Sequence, residues 1–314
     1  MTVSFIRSSA TLRVLLAATL ASWMSAAASG SSQAPCPEVA QALRAALTAR
    51  DLDGARRRFE AVLAEPACSD AFRARAGRAV SMLHARVVQE RSARGSSLAS
   101  QLALLHQGLR YARTWPILAL LGDAARDAGD HDGASAWYQE ALVAIDDSAT
   151  TPKPPAVPVI ERLFRRAAQS RLLATHYQPP PKTRSGAPGG LAAERIRGFV
   201  VARVPVPITF HTDSAEFTDM GRRAASDMAE YLTAQQPARV TIAGHTDPRG
   251  EDAYNLALSR RRAEAVARFL REHGFTGQVE VVAKGEREPF SANGPGTYTR
   301  AQRWQMDRRV ELIR

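Results

Sequence analysis

Between Pro37 and Asp147 apolar residues return at three- and four-residue spacings, as in Val39, Leu43 and Leu47, and again in Phe59, Val62 and Leu63. That spacing marks one buried face of an α-helix and predicts helices throughout the segment. The pattern changes after Phe199. Phe199 to Phe210 is rich in β-branched residues but contains Pro205 and Pro207, which predicts an edge or bulged strand. Phe217 to Gln235 reads as a helix, Arg239 to Gly244 as a short strand, and Asp252 to His273 as a helix stopped by Gly274. Gln278 to Ala283 is a further strand, Thr299 to Gln305 a short helix, and Arg308 to Ile313 a last strand. The order β-α-β-α-β-α-β around one sheet gives an α/β (α+β) sandwich. The whole is a multi-domain chain with an all-α N-terminal part and an α/β C-terminal part.

A repeat runs through the helical part. Asp53-Gly54-Ala55 followed by Phe59 returns as Asp132-Gly133-Ala134 followed by Tyr138, 79 residues later. The stretch Arg91 to Ser97 can hold the insertion between copies. Counted from Trp115, the residues Leu118, Leu121, Gly122, Gly129, Ala134, Tyr138 and Ala141 fall at alternating large, small and turn positions. Gly122 and Ala134 would let two helices approach while Tyr138 fills the gap. This copy resembles a tetratricopeptide repeat, although Ala125 stands where that repeat usually has an aromatic. The resemblance covers residues 36–147 and implies a stacked surface that holds a protein partner. A plain helical spacer is the alternative.

Two segments interrupt the pattern. Thr151-Pro152-Lys153-Pro154-Pro155 and Pro158 are helix breakers, and Gln178-Pro179-Pro180-Pro181 through Gly190 is a second Pro/Gly-rich break. Residues 148–194 therefore read as a Pro-rich linker with one amphipathic helix at 160–176. Extended Pro-rich segments would hold the two modules apart.

The N-terminus has the form of an export signal. Arg7 and Arg13 precede the apolar stretch Val14 to Met24, and Ser25-Ala26-Ala27-Ala28 supplies small residues for a cut near Ala28–Ser29. Eleven residues are too few to cross roughly 30 Å of hydrocarbon, which argues against a membrane anchor. A lipidation signal would need an aliphatic residue three positions before Cys36 and a small one just before it; Gln33 and Pro35 break both requirements. The two cysteines, Cys36 and Cys68, both lie in the exported part, where oxidising conditions favour a bridge. Cys36 begins one predicted helix and Cys68 ends the next, so an antiparallel hairpin would bring them together. Two unpaired thiols are the alternative.

Charge changes the picture little. The 314 residues carry a formal +11, from 42 basic and 31 acidic groups. That alone fits a nucleic-acid binder. Yet the lysines are only Lys153, Lys182 and Lys284, and no basic arm stands out. The arginine excess reads as codon bias, so no nucleic-acid partner is expected.

The C-terminal part carries the chemistry. Gly244-His245-Thr246-Asp247-x-x-Gly250 is followed by Asn255-x-x-Leu258-Ser259-x-x-Arg262-Ala263-x-x-Val266-x-x-x-Leu270, then by Gly285-Glu286-x-x-Pro289 and Asp307-Arg308-Arg309-Val310. Over residues 198–314 these motifs, in this order, resemble the OmpA-like peptidoglycan-binding domain shared with the Pal lipoproteins and the MotB stator proteins. The resemblance implies a β-α-β-α-β sandwich that grips the diaminopimelate of the cell-wall stem peptide. By that resemblance Asp247 binds the ammonium and Arg262 a carboxylate, while Asn255, Arg308 and Asp213 match further groove positions. A helix N-cap or turn role is the alternative for Asp213. Asp307 departs from the family, where Asn is usual, and an acid there could pair with Arg308.

The spacing supports the same chemistry independently. Diaminopimelate ends in an ammonium and a carboxylate, so its site needs an acid and a base, and an arginine fork suits the carboxylate. At 100° per residue, Asn255, Ser259 and Arg262 share a sector of about 60° beside the apolar arc. Arg260, Arg261, Arg268 and Arg271 project away.

Nothing in the sequence points to an enzyme or a cofactor. The seven histidines show no metal spacing, and His245 reads as a brace for its loop. Neither a nucleophile elbow nor a phosphate-cradling loop is present. The reading is a periplasmic protein that binds peptidoglycan and, through its helices, a protein partner. Any outer-membrane attachment would come through that partner. A scaffold whose C-terminal domain makes only protein contacts is the alternative.

Overall fold

The computed structural model describes residues 36–292 and 298–314; the export signal expected at residues 1–28 lies outside them. Seven helices come first: α1 (Pro37–Ala49), α2 (Leu52–Ala64), α3 (Asp70–Ala93), α4 (Leu102–Tyr111), α5 (Trp115–Asp127), α6 (His131–Asp146) and α7 (Val157–Leu173). Their starts are locally encoded. Asp51 and Asp130 each accept a hydrogen bond from the backbone N–H three residues on, Gly54 and Gly133. This is why the Asp-Gly-Ala signature repeats: its preceding aspartate is an N-cap. Ser69 caps α3 in the same way through the Phe72 N–H.

Successive helices pack on one another, and Cys36 and Cys68 form a disulfide with Cα atoms 5.0 Å apart. It ties the start of α1 to the turn after α2. The α5–α6 contact is close because residue 122 is glycine: a Cβ there would lie 2.6 Å from the Tyr138 ring. Tyr138 is fully buried, and its hydroxyl donates to Asp123 at 2.6 Å.

The C-terminal part begins with a two-residue hairpin, β1 (Arg195–Ile196) and β2 (Phe199–Val200). It continues with β3 (Arg203–Val206), α8 (Asp219–Gln235), β4 (Arg239–His245), α9 (Asp252–Glu272), β5 (Gln278–Gly285), α10 (Arg300–Asp307) and β6 (Val310–Ile313). The sheet order is β3-β6-β4-β5, with β4 and β5 parallel and the other two pairings antiparallel. The α/β outline read from the sequence is thus the observed one, and Pro205 sits on the edge strand β3, where a missing N–H is tolerated. No described helix is long and apolar enough to cross a membrane.

The linker departs from expectation. The second Pro-rich break does not hold the modules apart. Pro158 does not break a helix either: it lies in the first turn of α7, where no N–H partner is needed. Ten residues of α7 are buried, and one continuous apolar core runs from Tyr138 through Ile160 and Phe164 into Ile196, Val204 and Leu312. Phe164 and Phe199 meet ring to ring at 5.5 Å. Leu172 and Leu173 close over Met306 of α10, and Gln305 donates to the Leu172 carbonyl at 3.1 Å. An amphipathic helix with two apolar sides to satisfy becomes a shared wall.

Candidate functional site

The site gathers where four chain segments meet: the loop leaving β4, the first turns of α9, the turn before α8, and the end of α10. The strand–helix approach is set by Gly244. A Cβ there would fall 2.2 Å from the Ser259 carbonyl, so only glycine lets α9 lie this close to β4. Ser259 locks the arrangement, accepting from the Gly285 N–H at 3.0 Å and donating to the Leu256 carbonyl at 2.8 Å. Its hydroxyl is structural.

Asp247 follows immediately and is buried. Its Oδ1 accepts from the Arg249 backbone N–H (3.1 Å) and from Arg249 Nε (3.0 Å); its Oδ2 accepts from Arg249 Nη2 (2.8 Å) and Arg308 Nη1 (2.6 Å). Burial alone would raise this carboxyl, but the hydrogen bonds from Arg249 and Arg308 outweigh it and hold the pKa at about 2. The site therefore presents a permanent anion.

Asn255, on the first turn of α9, is buried and spent on the loop. Its amide nitrogen faces the Asp247 carbonyl (3.3 Å), the Arg249 carbonyl (3.0 Å) and Glu286 Oε2 (2.6 Å). It fixes the shape of the turn that carries Asp247.

Arg262 turns inward, while Arg260, Arg261, Arg268 and Arg271 are exposed, as the helical spacing predicts. Its Nε donates to the Ser214 carbonyl at 2.9 Å, and its guanidinium lies 5.1 Å from the Phe210 ring centre. Both partners belong to the turn before α8. Burial lowers its pKa, and Arg308 pushes the same way, against Asp213 and Asp247. Among the described residues Arg262 has no ion-pair partner.

Asp213 sits in that same turn with φ +53°, exposed, while Thr218 caps α8 through the Gly221 N–H at 3.1 Å. The N-cap alternative for Asp213 therefore falls, and the turn role stands. Its charge still reaches the site, favouring the charged forms of both Arg249 and Arg262.

Asp307 does not pair with Arg308. Its Oδ1 accepts from the Phe290 N–H at 2.7 Å, which leaves Arg308 free to reach Asp247. His245 is fully buried; its Nε2 lies 3.6 Å from Glu311 Oε2, beyond hydrogen-bond reach, and its backbone N–H donates to the Arg309 carbonyl at 3.0 Å. Arg309 holds Glu311 from the other side at 2.8 Å. Burial raises the Glu311 carboxyl, and His245 and Arg309 together overcome it, leaving a pKa of about 2.

Residues 209–303 match the OmpA family. The chain is 34% identical over 133 residues to the peptidoglycan-associated lipoprotein of Pseudomonas aeruginosa, covering 42% of this chain and 76% of that protein. The chain belongs to the OmpA family. It is also 46% identical over 86 residues to the peptidoglycan-associated lipoprotein of Legionella pneumophila, where it spans 27% of its own length and 46% of the relative's. Among solved structures it is similar to the peptidoglycan-associated lipoprotein from Burkholderia pseudomallei, at 34% identity, over 34% of this chain and 86% of that one, with a TM-score of 0.29.

In this OmpA-family domain Asp247, Arg262, Arg308 and the Asp213 turn are brought together, with Asn255 behind the Asp247 loop. Sequence reading missed Arg249 and Glu286. Arg249 stands two residues beyond Asp247, a spacing from which a side chain can fold back onto its neighbour. Glu286 lies inside a quoted motif, but nothing local ties it to Asn255.

Proposed function

We propose that this is an exported cell-envelope protein that binds peptidoglycan non-covalently. In this reading residues 1–28 direct export to the periplasm, and the OmpA-family domain takes the free end of diaminopimelate. Asp247 receives the ammonium and Arg262 a carboxylate, with Arg308 beside them. One observation carries the reading: a permanently ionised, buried Asp247 lies within electrostatic reach of Arg262, a buried cation held, among the described residues, by backbone carbonyls and a ring. An acid and an unpaired base at one mouth match a zwitterion. Relatives named for peptidoglycan association support the same ligand. The chemistry is binding, with no catalytic step. The helices α1–α7, read as a tetratricopeptide-like stack over residues 36–147, would hold a protein partner. The close α5–α6 packing of Gly122 on Tyr138 supports that reading.

The test is co-sedimentation with purified peptidoglycan. Wild type should pellet with the wall, and an Asp247→Ala, Arg262→Ala double variant should stay in solution. Equal retention of the two would overturn the site. A scaffold that binds the wall weakly draws on one observation, that both Asp247 oxygens are already occupied by arginines. It expects neither protein to pellet.

A further inference from the structure

The carboxylate that should receive a ligand ammonium is not vacant. Arg249 grips both of its oxygens, through Nε to Oδ1 at 3.0 Å and Nη2 to Oδ2 at 2.8 Å. The two partners differ sharply in surroundings: the Asp247 side chain is 7% exposed, the Arg249 side chain 61%. Arg249 also lies over the Trp304 ring, 5.1 Å from its centre, so it has a second resting place on α10. Asp247 does not depend on that side chain for its position. The Arg249 backbone N–H holds Oδ1 and Arg308 holds Oδ2. The side chain can therefore leave while the acid stays oriented.

We propose that Arg249 is a specificity-determining residue, a built-in competitor that makes the site select an amino-acid end over a plain amine. The inference rests on the peptidoglycan reading above. A lone ammonium that enters must displace Arg249 from Asp247. One ion pair forms, one is lost, and the freed guanidinium, already resting over Trp304, gains only water in place of the carboxylate. A ligand that carries a carboxylate beside its ammonium repairs the loss, because that carboxylate offers a new partner to the cations around Asp247. The competitor thus taxes both ligands equally and refunds only the zwitterion. The Arg249 side chain is largely exposed, where ion pairs are screened by solvent, so the effect on selectivity should be only a few-fold.

The experiment compares two soluble stem tetrapeptides, one with meso-diaminopimelate and one with lysine at the third position. Binding to the full chain is measured by nuclear magnetic resonance titration at low salt. Wild type should prefer the diaminopimelate peptide. In Arg249→Gln the lysine peptide should bind about three- to fivefold more tightly relative to its rival, narrowing the preference. Arg249→Lys, which keeps the charge, should restore part of it. A merely structural role for Arg249 would weaken both peptides together and leave the ratio alone. An unchanged ratio overturns this inference while leaving the peptidoglycan reading intact. If wild type binds neither peptide, the peptidoglycan reading fails and this inference with it.

Discussion

Arg308 and Asp247 lie 61 residues apart in sequence and 2.6 Å apart in space. With Arg249 over Trp304, this contact closes the site, joining the end of α10 to the loop after β4. Arg308→Ala should loosen Asp247 without unfolding the domain, because Arg249 retains both oxygens. The expected result is weaker retention on purified peptidoglycan with a thermal midpoint lowered only slightly.

Acid should act on two carboxyls together. Asp247 and Glu311 both have pKa values of about 2 in the folded chain, against about 3.9 and 4.3 for unfolded aspartate and glutamate. A depressed folded-state value adds stability that is complete above the unfolded pKa and vanishes as pH falls through the folded one. Unfolding free energy from urea titrations should therefore be insensitive to these groups down to about pH 5, then drop toward pH 2. Asp247→Asn should flatten part of that drop. A variant as steep as wild type would contradict the assignment.

The disulfide should matter to the first helices. Closing the Cys36–Cys68 loop contributes about 3–4 kcal/mol in the chain-entropy view. A Cys36→Ser, Cys68→Ser variant should lose protection in α1 and α2 first, read by amide hydrogen exchange, with β4 and β5 unaffected.

Gly244→Ala is expected to be severe. Its Cβ would fall 2.2 Å from the Ser259 carbonyl, a backbone atom that cannot swing aside. A loss of about 3 kcal/mol or more is expected in urea unfolding, with loss of wall binding. A near-wild-type Gly244→Ala would show that α9 can shift away from β4.

The shared core makes a further claim. Because Phe164 and Ile160 are buried in one cluster with Ile196 and Val204, the helices around α7 and the sheet should unfold together. Variants keeping a single tryptophan, Trp137 or Trp304, should give coincident fluorescence transitions. Separate midpoints would show that the core does not couple them.

What could be read in advance followed from local rules. The inward turn of Arg262 comes from helical spacing, and the Cys36–Cys68 pairing from the two ends of one hairpin. The strands of the sheet were legible because β-branched runs lay between segments of helical spacing. What escaped depended on long-range geometry. The place of α7 was hidden by the prolines around its start, which mark a linker by composition; Pro152, Pro154 and Pro155 precede the helix, and Pro158 sits harmlessly in its first turn. The partner of Arg308 stayed open in the sequence because Asp307 is its neighbour; adjacent residues at a helix end point different ways, and the Phe290 N–H claims the acid. The hold of Arg249 on Asp247 needed the turn's shape, which Asn255 and Glu286 set from elsewhere.

The burial of α7 between the other helices and the sheet has a mechanical consequence. A partner held on α5 and α6, as proposed above, would stand at a set separation from Asp247, making the protein a ruler and not a leash. A pull on one end would be felt at the other without slack to take up. Spin labels on exposed positions of α6 and α9 should report one narrow distance, and a broad distribution would return the chain to the class of tethers.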